Sequence, residues 1–333
     1  MSARVVRTLM ADRGDAGERI DKVLQRRLAD LDTATRSRIQ RWLADGHVTV
    51  NGRPRTKAAS RVMQGDAVEV SLPAPRIRLK PQPEALPLTC LYDDPLFVAI
   101  DKPAGLVAHP TFRHPGGTLM NGLLWLARGW PAGERPSLLG RLDRQTSGLV
   151  LVARTRAAHA TLQKVLGSSW ASKEYLAVVY GKVSPARGRI DLRLGRSATD
   201  RRRVEASETR GVVALTTWQR LAWTALGDGA LSVVHCRLGT GRMHQIRVHL
   251  AAKGWPIVGD AEYGRPLWQS IEVPDTREAL ASFPRQALHA WRVSFPHPVS
   301  GARVTIQAPL PADITALLTA VGMPPMRDDD SGA

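Results

Sequence analysis

Four prolines, Pro73, Pro75, Pro81 and Pro83, fall within residues 73–84 beside the charge run Arg76-Ile77-Arg78-Leu79-Lys80. Each proline ring fixes φ and removes a backbone donor, so neither helix nor central strand continues through this stretch. It reads as a semi-extended linker. The break divides the 333-residue chain into a short N-terminal piece and a C-terminal piece that needs a substantial core of its own. The expected divisions are a basic arm over 1–14, a small module over 15–72, the linker over 73–84, a large domain over 85–320 and a flexible tail over 321–333.

In the small module Ile20, Val23, Leu24, Leu28 and Leu31 recur at helical spacing. The polar residues from Asp30 to Thr35 end that helix and supply caps for another. Ile39, Trp42 and Leu43 give the second helix an inward stripe, while Arg38 and Arg41 point away. Gly46 suits a C-terminal stop. Val48-Thr49-Val50 reads as a strand, Asn51-Gly52 as a hairpin turn, and Ala67 to Val70 as another short strand. Arg36, Arg38, Arg41, Arg53 and Lys57 then decorate the outer faces. An ordinary solvated face would carry the same residue types.

Beyond the linker, strand-like runs (97–100, 149–153, 175–180 and 231–238) mix irregularly with helical stretches (119–126, 157–166 and 244–252). That order departs from a steady β-α-β alternation. It predicts an α+β domain built on a mixed, largely antiparallel sheet. No run approaches ~18 apolar residues, and the charged N-terminus has no apolar signal core, so a soluble cytoplasmic protein without a membrane span is expected. Cys90 and Cys236 stand far apart in apolar contexts and are expected to be buried thiols. With no CxxC pair and nine scattered histidines, no metal site is expected. Lysine plus arginine exceed aspartate plus glutamate by 47 − 30 = 17. A surplus this large points to a polyanionic partner, nucleic acid before membrane.

Four stretches are dense enough in polar groups to carry chemistry. In Gly140-Arg141-Leu142-Asp143-Arg144-Gln145-Thr146-Ser147-Gly148 a carboxylate lies between two arginines just before an apolar strand. Asp143 is then a reactive group held on a loop, or simply a turn aspartate bound by Arg144 or capping Thr146. In Gly239 to Leu250 a strand gives way to a glycine turn and a helix, where free amides favour anions. Arg242 and His244 sit in the turn, and Arg247, one turn in, reaches a carboxylate or solvent. Tyr175 opens the strand after Lys173-Glu174, placed to stack on a base or to pack in the core. Finally, seven arginines and two aspartates lie between Arg187 and Arg203. This stretch, with Arg201, Arg202 and Arg203 together, reads as a phosphate-tracking loop or a solvated hairpin.

The N-terminal stretches Glu18 to Leu24, Ser37 to Gln40, Gly46 to Gly52 and Gly65-Asp66 resemble the S4 RNA-binding domain. From Leu91 to Pro311 the chain resembles the RluA/RluD-type pseudouridine synthase family. That resemblance rests on Ile100 to Pro110, Arg141-Leu142-Asp143 with Thr146-Ser147-Gly148, Lys173 to Ala177, Gly241 to Leu250, Val258-Gly259-Asp260, Tyr263-Gly264 and His289-Ala290. It implies an RNA substrate, ribosomal RNA before transfer RNA, and a monomeric enzyme. Because pseudouridine formation is an isomerisation, no cofactor is implied. It also implies that Asp143 is the essential carboxylate, that Tyr175 stacks on the target uracil, that Arg247 pairs with Asp143, and that Arg141 helps hold the flipped nucleotide or fill its vacancy. Arg144, Arg242, His244 and the basic S4 residues are the further RNA contacts expected. Gly140 stands where the family carries His, and Met243 where it carries Thr, which leaves a non-catalytic RNA-binding or assembly protein as the competing expectation.

Overall fold

In the N-terminal unit the helical spacing is realised as α1 (Ile20–Arg27) and α2 (Arg36–Ala44). Their stripes meet in one core through Ile20, Leu24, Ile39 and Leu43, all fully buried. In this computed structural model the described residues are 5–31, 34–72, 81–111, 114–197, 199–200 and 203–323. They cluster into two units, residues 1–79 and residues 80–333.

The first correction concerns the arm. Val5–Met10 forms a strand, β1, and pairs antiparallel with β4 (Ala67–Leu72) from Val5↔Leu72 to Met10↔Ala67. β2 (Val48–Val50) and the short β3 (Arg53–Pro54) complete a four-stranded sheet in the order β1-β4-β2-β3. The apolar alternation that marks a strand is absent here because Val6 and Met10 face solvent, and Leu9 packs only partly on the core. What recruits the segment is the edge of β4, whose backbone groups need a partner. Residues 1–4, most of the expected linker (73–80) and most of the expected tail (324–333) lie outside the described residues.

The second unit is organised by one sheet of eleven strands. In chain order its elements begin with β5 (Thr89–Asp93), β6 (Phe97–Lys102), α3 (Leu119–Leu126), β7 (Ser137–Leu138), β8 (Ser147–Ala153) and α4 (Arg156–Leu166). Next come β9 (Ser172–Tyr180), β10 (Arg187–Arg196), β11 (Val204–Ser207), β12 (Val212–Leu226), β13 (Gly229–Leu238) and α5 (Gln245–Ala252). The chain closes with α6 (Pro274–Ser282), β14 (Leu288–Pro296), β15 (Arg303–Gln307) and α7 (Ala312–Ala320). The strands run in the order β11-β10-β12-β13-β9-β14-β8-β6-β5, with β15 beside β14 and β7 beside β8. Among the described residues every pairing is antiparallel except β14 with β8. The α+β reading of the sequence therefore holds.

Two further expectations are refined. The arginine-rich stretch, read as a phosphate-tracking loop or a solvated hairpin, contains β10, which pairs antiparallel with β11 as a hairpin and, from Arg187 to Leu194, along β12. Its alternating arginines face outward while Ile190 and Leu194 are buried. Arg201 and Arg202 lie outside the described residues. Cys236 is fully buried on β13, as expected, but Cys90 is exposed on the terminal strand β5.

Central strand β8 is buried along its whole length, which explains its unbroken apolar sequence. Its parallel contact with β14 spans only His289↔Ser147 and Ala290↔Gly148. There Gly148 has φ +107°, and a Cβ on it would lie 2.2 Å from the Ala290 carbonyl oxygen. Only glycine lets the two strands approach at this point, immediately after the loop that carries Asp143. Gly148→Ala is therefore expected to destabilise the second unit by about 2–4 kcal/mol. Thermal melts of the two proteins check this, and an unchanged midpoint would show that the backbone yields without cost.

Candidate active site

At the end of β13 the chain turns through Gly239 to His244 into α5. Gln245, buried at the helix start, pins this turn. Its Oε1 accepts from the Thr240 hydroxyl (2.8 Å) and the Arg242 N–H (3.0 Å), and its Nε2 donates to the Leu215 carbonyl (2.9 Å) and Thr216 hydroxyl (3.0 Å). His244 takes φ +55°, a left-handed conformation that non-glycine residues adopt rarely. Its Nδ1 shares a 2.8 Å hydrogen bond with the Tyr263 hydroxyl, and that hydroxyl accepts the Val204 N–H at 3.0 Å. The hydroxyl proton is thus free to go to Nδ1, which leaves the Nε2 side of the ring facing Asp143 Oδ1 at 3.7 Å.

One helical turn on, Arg247 enters the interior with its side chain only 7% exposed. Its Nε and Nη2 donate to the two oxygens of Asp260 at 2.7 and 2.8 Å. Nη2 also donates to Glu262 at 3.1 Å, and Nη1 donates to Asp143 Oδ2 at 3.1 Å. Burial alone would lower the arginine pKa, but the paired carboxylates, Asp260 and then Asp143, raise it above its ordinary value. Burial likewise opposes ionisation of Asp260, yet Arg247 and the backbone N–H groups of Tyr263 and Glu262 hold it below the usual aspartate range. Both groups are therefore charged, and their two-pronged bond fixes the plane of the guanidinium.

Asp143 lies in the loop between β7 and β8. The turn reading of the sequence holds for its backbone, since its carbonyl accepts the Thr146 N–H at 3.1 Å. Its carboxylate instead meets Arg247, while Arg144 donates to the Gly105 carbonyl at 3.1 Å. Two buried cations hold the loop itself. Lys102 donates to the carbonyls of Pro103, Leu106 and Arg144 at 2.8, 3.1 and 3.2 Å. Burial, reinforced by Arg285 and opposed by Asp143 and Asp101, lowers its pKa to about 8. Arg285 donates to the Gln145 carbonyl at 3.2 Å and is paired with Asp313 at 2.6 Å.

Tyr175, half-buried on β9, lines a small cavity of about 60 Å3 together with Asp143, Arg247, His244, Arg141 and Arg242. Burial, and next to it the Asp143 charge, push the tyrosine pKa above its ordinary value, so its hydroxyl stays protonated. A wider cleft of about 530 Å3 includes Asp143, Arg144, His109, His244, Arg247 and Glu262 in its walls. The structure thus gathers Asp143, Tyr175 and Arg247 with Arg141, Arg242 and His244.

His244 lines both cavities and sits within the carboxylate cluster, 3.5 Å from Glu262. Arg203 is also engaged, donating to the Glu262 carbonyl at 2.5 Å and lying over the Tyr263 ring. In the N-terminal unit Arg36, Arg41, Arg53 and Lys57 are exposed and Arg38 is half-buried, and Arg36 lies 3.7 Å from buried Asp21. Met243 packs against the cluster of Leu194, Val204, Ala214 and Val248, so hydrophobic contact stands where the family carries Thr. Sequence reasoning assigned no role to Glu262, Lys102, Gln245 or Arg285. Among the described residues no group of three or more His, Cys, Asp or Glu is placed to hold a metal, and no helix is long and apolar enough to cross a membrane.

Comparison with known proteins accounts for this arrangement. Residues 96–252 match the RNA pseudouridylate synthase family, and residues 18–68 match the S4 domain. The chain is 40% identical over 312 residues to the ribosomal large subunit pseudouridine synthase D of Xylella fastidiosa, covering 92% of this chain and 90% of that protein. It is 37% identical over 306 residues to the protein of the same name from Nitrosomonas europaea, covering 92% and 85%. The structure of human RNA pseudouridylate synthase domain containing 4 superimposes with a TM-score of 0.56 at 22% identity, over 70% of this chain and 92% of that one. The chain belongs to the RNA pseudouridine synthase family and carries an S4 domain ahead of the catalytic fold. It is an isomerase that converts uridine in RNA to pseudouridine.

The Asp260–Arg247 pair yields a test of its own. Asp260→Asn leaves a buried guanidinium short of its main partner, a change that typically costs about 3–5 kcal/mol. Because the folded-state pKa of Asp260 is depressed, its contribution is fully present above the ordinary aspartate value and is lost as pH falls through the folded one. Denaturant melts should show a wild-type advantage that is constant above about pH 5 and shrinks below about pH 4. An advantage independent of pH down to the acid limit would show that the pair is not what stabilises this region.

Proposed function

We propose that the enzyme acts on uridines of large-subunit ribosomal RNA in the cytoplasm, as a monomer and without a metal or cofactor, with Asp143 as the reacting carboxylate. The observation that carries the catalytic part is the 3.1 Å bond from Arg247 to Asp143 inside a cavity that Tyr175 also lines. The names of the curated relatives support ribosomal RNA as the substrate, and the S4 domain suits structured RNA.

In this reading the target uridine leaves its stack, at a cost of a few kcal/mol, and enters the cavity. The bond between uracil N1 and sugar C1′ breaks, and its electron pair passes to the ring. Asp143 either bonds to C1′ or removes the C2′ proton. The ring turns over, C5 bonds to C1′, any bond to Asp143 is released or the C2′ proton returned, C5 loses its proton and N1 gains one. Nothing leaves the site. Arg247 aims the carboxylate, and Tyr175 supports the ring, a stack worth about 1–3 kcal/mol. Arg141, Arg144, Arg242 and His244 meet the RNA near the reacting sugar. Arg201, Arg202 and Arg203, with Arg36, Arg38, Arg41, Arg53 and Lys57, bind further phosphates of the RNA.

Asp143→Asn is expected to abolish pseudouridine formation on a large-subunit rRNA fragment while changing RNA affinity less than about threefold, about 0.7 kcal/mol. Nearest-neighbour analysis of the RNA product and a filter-binding titration measure the two effects. Turnover by the variant at the wild-type rate would remove Asp143 from the chemistry. Conversion confined to transfer RNA would redirect the substrate assignment.

A further inference from the structure

A second cavity of about 180 Å3 shares Arg141, Leu142, Tyr175, Leu238 and Arg242 with the active-site cavity but does not include Asp143. It lies where two hydrophobic cores fail to meet. Leu139, Leu166 and Val293 belong to one of them, and Tyr175 and Leu238 pack against the other. Gly140 also lines it, and a Cβ at that position would meet no atom within 4 Å.

Lys173 also lines this cavity. It precedes Tyr175 by two residues on β9, so both side chains leave the same face of the sheet. Lys173 is half-buried, and no described residue forms a hydrogen bond or ion pair with its ammonium. Glu174 and Arg292 also line the cavity but are committed to each other at 2.6 Å, and Glu174 to His235 at 3.1 Å. Burial moves the Lys173 pKa below its ordinary value, the direction expected of a cation that lacks an acceptor. A slot walled in part by Leu139, Leu166 and Val293, an ammonium on its lining that no described residue binds, and two arginines shared with the catalytic cavity describe a site for a flat ring attached to a phosphate.

Building on the reading that RNA enters the neighbouring cavity, we propose that this slot is a second base pocket, which takes an unstacked nucleobase next to the target uridine. Leu139, Leu166 and Val293 enclose the ring, Lys173 donates to a ring carbonyl, and Arg141 and Arg242 hold the phosphate between the two bases. A lysine donates and cannot accept, so an exocyclic carbonyl of uracil, cytosine or guanine suits it, whereas adenine places an amino donor where guanine carries O6 and offers only its ring nitrogens as acceptors. The enzyme would thereby read sequence beside its target through the same residues that border its active site.

The test uses the full-length protein and an rRNA fragment that it converts. Pseudouridine formation in the intact fragment is measured first and bears on the functional reading alone. Each nucleotide within two of the target is then made abasic in turn, and affinity is titrated directly, so the result does not depend on turnover. One position is expected to lose about tenfold in affinity when abasic, in line with the loss of one enclosed base. Adenine at that position should bind more weakly than uracil. Lys173→Met should discriminate less between uracil and adenine there while leaving the other positions unchanged. Equal tolerance of abasic sites at every position overturns the proposal without any variant. An adenine penalty that persists undiminished in Lys173→Met overturns the role of the lysine.

Discussion

A guanidinium buried to the depth of Arg247 must have its charge matched nearby, and that requirement organises the active site. Its donors are distributed over three carboxylates, Asp260, Glu262 and Asp143. Asp260 takes the two-pronged bond and is itself held by backbone N–H groups of the following turn. The plane of the arginine is thus set by Asp260, and the remaining edge is offered to Asp143. A lone aspartate at the mouth of a buried strand would have many orientations available. Bound to a fixed donor, it has few.

The fold supplies the two halves of this contact from distant parts of the chain. Arg247 comes with a helix whose start Gln245 locks to β12. Asp143 comes with a loop whose backbone carbonyls are held by Lys102 and Arg285. Between them runs the short parallel register of β8 and β14, possible because Gly148 brings no side chain. The helix, the loop and the strands are therefore one mechanical unit. A disturbance at any of them moves the carboxylate relative to Tyr175.

Much of this was legible in the residues. Helical spacing marked α1 and α2, unbroken apolar runs marked β8 and β9, and a carboxylate between arginines marked Asp143. The motifs shared with pseudouridine synthases brought Tyr175 and Arg247 to it. What escaped has physical causes. β1 lacks an alternating pattern because it is held by the backbone of a neighbouring edge, which leaves no trace in side-chain periodicity. The stretch from Arg187 left loop and hairpin both open because outward arginines mask the inward Ile190 and Leu194. Lys102 and Arg285 act on backbone carbonyls far along the chain, and Glu262 gains its importance only by meeting His244 and Arg247 in space.

Arg247→Lys gives the most direct examination of the central claim, because it keeps the charge and removes the fork that joins Asp260 to Asp143. Single-turnover conversion of a saturating rRNA fragment isolates the chemical step from binding. The account predicts a rate at least about 100-fold below wild type, about 2.7 kcal/mol of lost transition-state stabilisation, with RNA affinity nearly unchanged. A wild-type rate, or a loss fully explained by weaker RNA binding, would contradict it.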